Sequence, residues 1–349
     1  MALTTRRMIE ENGNTVANRT PKEGRAIAFL YKNDDALTSI FELAGTKEDD
    51  MTASAAWTLA SDPHFLQAFL DQFLDPVTLD HIEWDQIQIL MQNYMPNKGI
   101  TDLEVFQPDL FHIILEAKKG WVLPADSQLQ HYSNRFSSQT VHRLVVLSEC
   151  NERRFHKMFP DPFLGGIPLQ YMSWESLYEL AKEVHAKSKH KQKFWLQDFI
   201  HYVEKVVPMQ QTDSNWVYVV SLSDDKPDGW DISWKDIVEK KNYYFHPTEG
   251  GGWPKNPPNY IAFRYDGQLQ SIHHIDDYEV IDDFHPFIQE IPPGAINPHF
   301  LYTLGPPIYP PKIIKNGPSI RWANRAWCML DTLLTSDTIT EAREISVAR

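Results

Sequence analysis

Hydrophobic and polar positions alternate most clearly in "ITDLEVFQPDLFHIILEAKKG" (100–120), on both sides of a Pro-Asp pair. Period-2 alternation predicts a β-hairpin, with Pro108-Asp109-Leu110 as a three-residue loop. In that register Asp102 faces Glu116, and Asp102, Glu104, Glu116 and Lys118 share one face. Leu103, Val105, Ile113, Leu115 and Ala117 then line the other. Upstream, helical spacing dominates. "ALTSIFELAG" reads as a helix stopped by Gly45, and "DDMTASAAWTLASDPHFLQAFLDQFL" as two helices broken near Asp62-Pro63. Downstream the pattern predicts a helix from Ser127 to Arg135 and a strand in "VHRLVVLSE" (141–149). A further strand follows in "GIPLQYMSW" (166–174), with Ser173 capping the helix "WESLYELAKEVHAK", and then a helix over 194–207.

The pattern changes near Pro208. "NWVYVVSLS" (215–223), "NYIAFRYDGQLQSIHHI" (259–275) and "YEVI" (278–281) are strand-like, and Asp266-Gly267 is a hairpin-turn signal. "IRWANRAWCMLDTLLT" reads as a closing helix. The expected organisation is a polar arm over 1–30, an α/β domain over 31–210, and a smaller, mostly-β domain over 211–349.

Composition narrows the class. The chain has 349 residues, 42% of them hydrophobic and 23% charged, enough for two globular domains. No apolar run reaches the roughly 18 residues of a membrane span, so no membrane partner is expected. Two distant cysteines, Cys150 and Cys328, supply neither a disulfide framework nor a zinc site, and a cytoplasmic location is expected. Neither a phosphate-binding P-loop nor a dinucleotide fingerprint is present. The net charge of −14 argues against nucleic acid, but residues 118–207 carry 13 bases against 9 acids. Phosphate binding follows the local field rather than the total.

Two carboxylates opposed across a hairpin repel unless something neutralises them. A hard divalent cation does so with oxygen ligands, and a neighbouring ammonium can assist an attacking water. The residues alone leave two readings open: a metal site, or a solvated hairpin face with a Lys–Glu pair.

Asp102, Glu116-Ala117-Lys118 and the downstream Gln128-Leu-Gln-His-Tyr132 together resemble the PD-(D/E)XK nuclease superfamily, in its RecB-like branch. The resemblance spans about residues 36–207. It implies a restriction-endonuclease-like fold, a mixed sheet flanked by helices, and Mg²⁺-dependent phosphodiester hydrolysis, with Mn²⁺ as a substitute. Asp102, Glu116 and the Ala117 carbonyl would hold the metal, Lys118 would act on the water, and Gln128 and Tyr132 would order the site. Glu48 would be the additional upstream acid, with Glu42 the alternative. The superfamily's Pro-Asp dipeptide is displaced here: Ile100-Thr101 precede Asp102, and Pro108-Asp109 falls in the turn. The implied partner is nucleic acid, DNA rather than RNA, contacted by Lys119, Arg135, Lys189, Lys191 and Lys193. Double-strand cutting would call for a homodimer, and phage defence or restriction is a fitting setting. Two alternatives are a non-catalytic nucleic-acid-binding protein on the same fold and an effector nuclease gated by a nucleotide.

In the second domain, Trp253, Tyr260, Phe263, Arg264 and Tyr265 are candidates for a stacking pocket that takes a nucleotide or modified base. A small β-barrel reader is the expected shape.

Overall fold

The computed structural model describes residues 30–32, 35–96, 98–136, 141–189, 193–210, 212–321 and 324–349. The expected arm over 1–30 therefore lies, Leu30 apart, outside the described residues. The chain is a mixed α/β protein built on two six-stranded sheets, each flanked by helices.

The first part opens with a two-stranded pair, β1 (Tyr31–Lys32) and β2 (Asp35–Ala36). Helices α1 (Glu48–Ser61), α2 (Pro63–Leu70) and α3 (Pro76–Asp80) follow. The break between α1 and α2 falls where expected. Asp62 caps α2 by accepting from His64 and Phe65 N–H, and Pro63 takes the first helical position, where its missing N–H costs nothing. The helix expected over 36–45 is only a single 3-10 turn, Ile40–Leu43. Glu42 folds back onto the Thr38 and Ser39 amides and closes the turn instead of extending it.

The first sheet runs in the order β3, β4, β5, β6, β8, β7. Its members are β3 (Gln88–Met95), β4 (Gly99–Gln107), β5 (Phe111–Ala117), β6 (Val141–Ser148), β7 (Phe163–Leu164) and β8 (Ile167–Ser173). β3 to β5 form an antiparallel meander, whereas β5, β6 and β8 are parallel. α4 (Asp126–Ser133) bridges β5 to β6, and α5 (Glu152–Met158) follows β6. α6 (Trp174–Lys187) and α7 (Lys193–Val206) complete this part. The sheet is covered on both faces. Leu103, Val105, Ile113, Leu115 and Ala117 pack under α1, α2, α6 and α7, and Ile114, Leu144 and Val146 pack under α4 and α5.

The second sheet has the order β10, β13, β12, β11, β9, β14. Its strands are β9 (Trp216–Ser221), β10 (Tyr243–Pro247), β11 (Tyr260–Tyr265), β12 (Gln268–Ile281), β13 (His299–Leu304) and β14 (Ala326–Met329). It is joined by α8 (Trp234–Lys241), α9 (Leu330–Thr335) and α10 (Ile339–Ala348). Asp266 and Gly267, both at positive φ, make the expected two-residue turn between β11 and β12. The sheet is open, with β10 and β14 at its edges, so the barrel expectation is replaced. The closing helix is also redrawn. "AWCM" is strand β14, paired antiparallel to β9, because that edge offers backbone partners that an isolated helix pattern cannot reveal.

One buried ionic network braces the meander. Arg135, whose side chain has no exposure, donates to Glu104 Oε1 at 2.5 Å and to the carbonyls of Asn93 and Gly99. His112 and Thr101 also hydrogen-bond Glu104. Burial by itself would raise the Glu104 carboxyl, but these hydrogen bonds and the Arg135 charge bring it down to about 2. Its stabilisation is therefore fully present above the ordinary range near 4.5 and is lost as pH falls toward 2. Glu104→Ala leaves Arg135 buried without its counter-charge and should cost about 3 kcal/mol. Urea unfolding at pH 7 checks this, and the deficit should shrink at pH 3.

Candidate functional site

The hairpin loop is a Pro-Asp turn. Leu110 N–H donates to Gln107 O, and Asp109 takes φ +61°, the left-handed value that the third position of a type II turn needs. The register is the expected one, from Gln107 opposite Phe111 to Leu103 opposite Leu115. Past that point the two strands part. β5 stays with β6, where Ala117 pairs with Leu147 and Lys118 N–H donates to Leu147 O at 2.7 Å. The amide of Ala117, facing β4, is taken by the Asp102 carboxylate at 2.8 Å. Asp102 therefore reaches across the split to the residue beside Glu116.

Glu116 is fully buried and held from several sides. Tyr132 Oη lies 2.8 Å from Oε2, and Gln128 Nε2 donates to Oε1. These two side chains stand one turn apart on α4, the spacing that puts both on one helix face. Tyr132 Oη also lies 2.7 Å from Ile100 O, so its one proton is shared between that carbonyl at the start of β4 and Glu116. The Lys118 ammonium donates to Glu116 Oε1 at 2.6 Å, to Glu48 Oε1 at 3.0 Å and to Ala117 O at 3.1 Å. Glu48 opens α1 and also accepts from Lys119 N–H at 2.9 Å, so the helix start is fastened to the end of β5. Trp174 Nε1–H donates to Lys118 O at 3.0 Å and holds that strand end from α6.

Two carboxylates, Glu116 and Glu48, thus share one ammonium, and Asp102 has the Ala117 amide instead. Burial and the Glu116 charge push the Asp102 carboxyl up to about 7, against the pull of the Ala117 amide and Lys118. Burial pulls the Lys118 ammonium down, but Glu116 and Glu48 more than compensate and hold it above its ordinary value. The arrangement is short of positive charge at Asp102.

The structure brings Asp102, Glu116, Ala117, Lys118, Gln128, Tyr132 and Glu48 together. Lys119 is exposed beside them. Glu42 is elsewhere, buried against Lys205. Arg135, expected on a phosphate backbone, is spent on Glu104 in the core, because the chain two residues past the end of α4 turns inward under β3 and β4. Lys189 is exposed and Lys193 partly so, but both lie beyond the far end of α6. That 14-residue helix starts at the site and leads about 20 Å away from it. Lys191 falls outside the described residues.

Gln92 was not singled out by sequence. It sits at φ +47° in β3 opposite Asp102, with Nε2 3.4 Å from Asp102 Oδ1 and 3.2 Å from Asp49 Oδ1. A positive φ at a non-glycine residue marks a backbone held by its surroundings. No motif signals it, since only the pairing of β3 with β4 sets it there.

In the second part, Trp253, Arg264 and Tyr265 line a cavity of about 810 Å³. Tyr260 and Phe263 do not. Tyr260 packs on the apolar cluster around Val217 and Val219, and Phe263 is fully buried among Tyr218, Val220 and Tyr302. Successive strand residues face opposite sides, and a bulge after Phe263 turns the end of β11 toward the cavity.

Among the described residues, no group of three or more His, Cys, Asp or Glu side chains is placed to hold a metal ion, and no helix is long and apolar enough to cross a membrane. Glu48 faces the lysine rather than Asp102, which leaves two carboxylates and a carbonyl as the oxygen donors. No protein-family model, curated protein or solved structure matches the chain.

The raised Asp102 carboxyl has a stability consequence. The folded state favours its protonated form, so stability falls as pH rises from about 4 to about 7 and the cost is complete above that. Asn keeps an acceptor for the Ala117 amide without the charge. Asp102→Asn should be more stable than the parent by about 2 kcal/mol at pH 8 without divalent ions, and equal to it near pH 4. Thermal melts in EDTA across that range check the sign.

Proposed function

We propose that this protein is a metal-dependent nuclease of the PD-(D/E)XK kind, with a restriction-endonuclease-like first domain. One observation carries the reading. Asp102 and Glu116 converge from two parting strands, with the Lys118 ammonium beside them and Gln128 and Tyr132 closing on Glu116 from α4. The donor set suits Mg²⁺ or Mn²⁺, because a hard cation takes one or two carboxylates and completes its shell with water and substrate phosphate. Asp102, Glu116 and the Ala117 carbonyl would hold it. Burial and the neighbouring negative charge push the Asp102 carboxyl up, and a divalent cation would offset both. When bound, such an ion polarises a phosphoryl oxygen and lowers the pKa of water.

The chain's own residues supply positioning and charge. Glu116 is locked by three donors, so its free orientation is already spent before substrate arrives. Lys118, held as an ammonium by Glu116 and Glu48, orients the attacking water and meets the negative charge that develops on the phosphoryl oxygens. Glu48 sets the lysine rather than holding the ion. Lys119 offers an exposed cation to the strand at the rim.

Incubation with supercoiled plasmid, linear duplex, single-stranded DNA and RNA, each with Mg²⁺ or EDTA, tests the reading. Cleavage should require the metal. Asp102→Ala and Glu116→Gln should lose detectable activity, and Lys118→Ala should lose at least about a hundredfold. Parent-like cleavage by Glu116→Gln would remove the assignment.

A further inference from the structure

A different cleft, of about 420 Å³, opens where the two sheets meet. That volume lies within the range of small-molecule sites. One wall stands at the carboxyl ends of the parallel strands β6 and β8. Glu149 follows the last residue of β6, Ser173 ends β8, and Glu175 lies in the first turn of α6. Open α/β sheets bind ligands outside such strand ends. Asp277, Tyr278 and Glu279 of β12 form the facing wall. Asp102, Glu116 and Lys118 do not line the cleft.

The lining carries one sign of charge. Among the described residues that form it, Glu149, Glu152, Glu175, Asp277 and Glu279 are acidic, and none is Lys, Arg or His. Arg153, on an exposed side chain 3.5 Å from Glu279, and Lys119, whose charge acts on Glu149, lie outside the lining. Burial lifts the carboxyls of Glu149, Glu175 and Glu279 above their ordinary value.

Hydrogen bonding points the same way by a separate route. Glu149 is 8% exposed, and its Oε1 has no hydrogen-bond partner, although the Gly120 amide serves the carboxylate. Gln170 Oε1 is likewise buried without a donor. An unpaired buried acceptor costs free energy that a donor from a bound molecule would recover. Gln170 pairs with Val145 in the β6–β8 register, four residues before Glu149, so the two backbones stand about 13 Å apart along the strands. Among the described residues, no three acids converge as a metal ion would need. Acceptors spaced along an anionic cleft suit an elongated cation with several N–H donors instead.

We propose that this cleft binds a linear aliphatic polyamine. One ammonium donates to Glu149 Oε1, another amine reaches Gln170 Oε1, and Glu175 and Asp277 balance the remaining charge. A lysine-rich peptide has the same charge but is bulkier than a cleft of this volume admits. The proposal stands apart from the nuclease reading, since it needs neither metal nor cleavage.

The test is calorimetric titration of the full chain at pH 7 in metal-free buffer of fixed ionic strength. The titrants are putrescine, spermidine, spermine, fully N-acetylated spermidine, ammonium chloride and a tetralysine peptide. Spermidine or spermine should bind saturably at one site, more tightly than putrescine, and the acetylated triamine and ammonium should not. Glu149→Gln should weaken binding about 10- to 150-fold, the range for loss of one hydrogen bond to a charged group. Asp277→Lys, a surface change that keeps the fold even where Glu149→Gln does not, should weaken it too, and more at low salt than at high. Asp102→Asn should bind as the parent does. Absence of saturable binding by both spermidine and spermine overturns the proposal. So does equal binding of the acetylated triamine, or an unchanged affinity in Glu149→Gln or in Asp277→Lys. Loss of binding in Asp102→Asn would place the polyamine at the cleavage site, and tighter binding of tetralysine than of spermine would make the ligand a peptide; either result also overturns it.

Discussion

The amide of Ala117 is the constraint on which the site rests. In an uninterrupted antiparallel ladder it would bond to the backbone of β4. Here β5 follows β6 instead, and the amide is left facing a gap that the Asp102 carboxylate fills. A buried N–H must find a partner, so the split in the sheet and the position of Asp102 determine each other. The same contact brings a second carboxylate against Glu116, and burial together with the repulsion between them raises the Asp102 carboxyl. The fold accepts an unfavourable charge arrangement at one end of a strand pair while the rest of the sheet is conventionally packed.

The surroundings keep that arrangement from relaxing. Arg135 and Glu104 lock β3, β4 and the end of α4 together beneath the site, with their opposite charges paired inside the core. Glu104 and Asp102 lie two residues apart on the same strand face and differ completely in electrostatics. One is surrounded by donors and held at about 2, the other is left short of them at about 7. Environment, not residue type, separates a carboxylate that braces the core from one left short of partners.

The two sheets meet close to this point. Trp121, three residues after Lys118, packs into apolar clusters on both sides, with its ring 5.5 Å from that of Phe300 between centroids and nearly perpendicular to it. Phe300 in turn borders His246, the floor of the aromatic cavity. Tyr278 to Glu175 and Asn151 to Glu279 add polar contacts along the same seam. A contiguous set of packed rings therefore runs from the cavity wall to Trp121, three residues past Lys118.

Local pattern determined a good part of this protein. Period-2 alternation and one Pro-Asp pair were enough to set the hairpin register, because shifting a strand by one residue would have moved Leu103, Val105 and Leu115 out of the core. The i, i+4 spacing of Gln128 and Tyr132 placed both on one helix face, and Asp266-Gly267 marked its own turn. What only the tertiary structure decided involves partners distant in sequence. Arg135 reads as a surface cation until β3 and β4 close over it. Gln92 has no signature until its strand pairs opposite Asp102, and Arg264 and Tyr265 turn toward the cavity only through a bulge after Phe263. "AWCM" becomes a strand because β9 has a free edge. A charged or aromatic side chain takes its role from the groups that desolvate and pair it, and those groups are fixed by chain crossings that no local pattern contains.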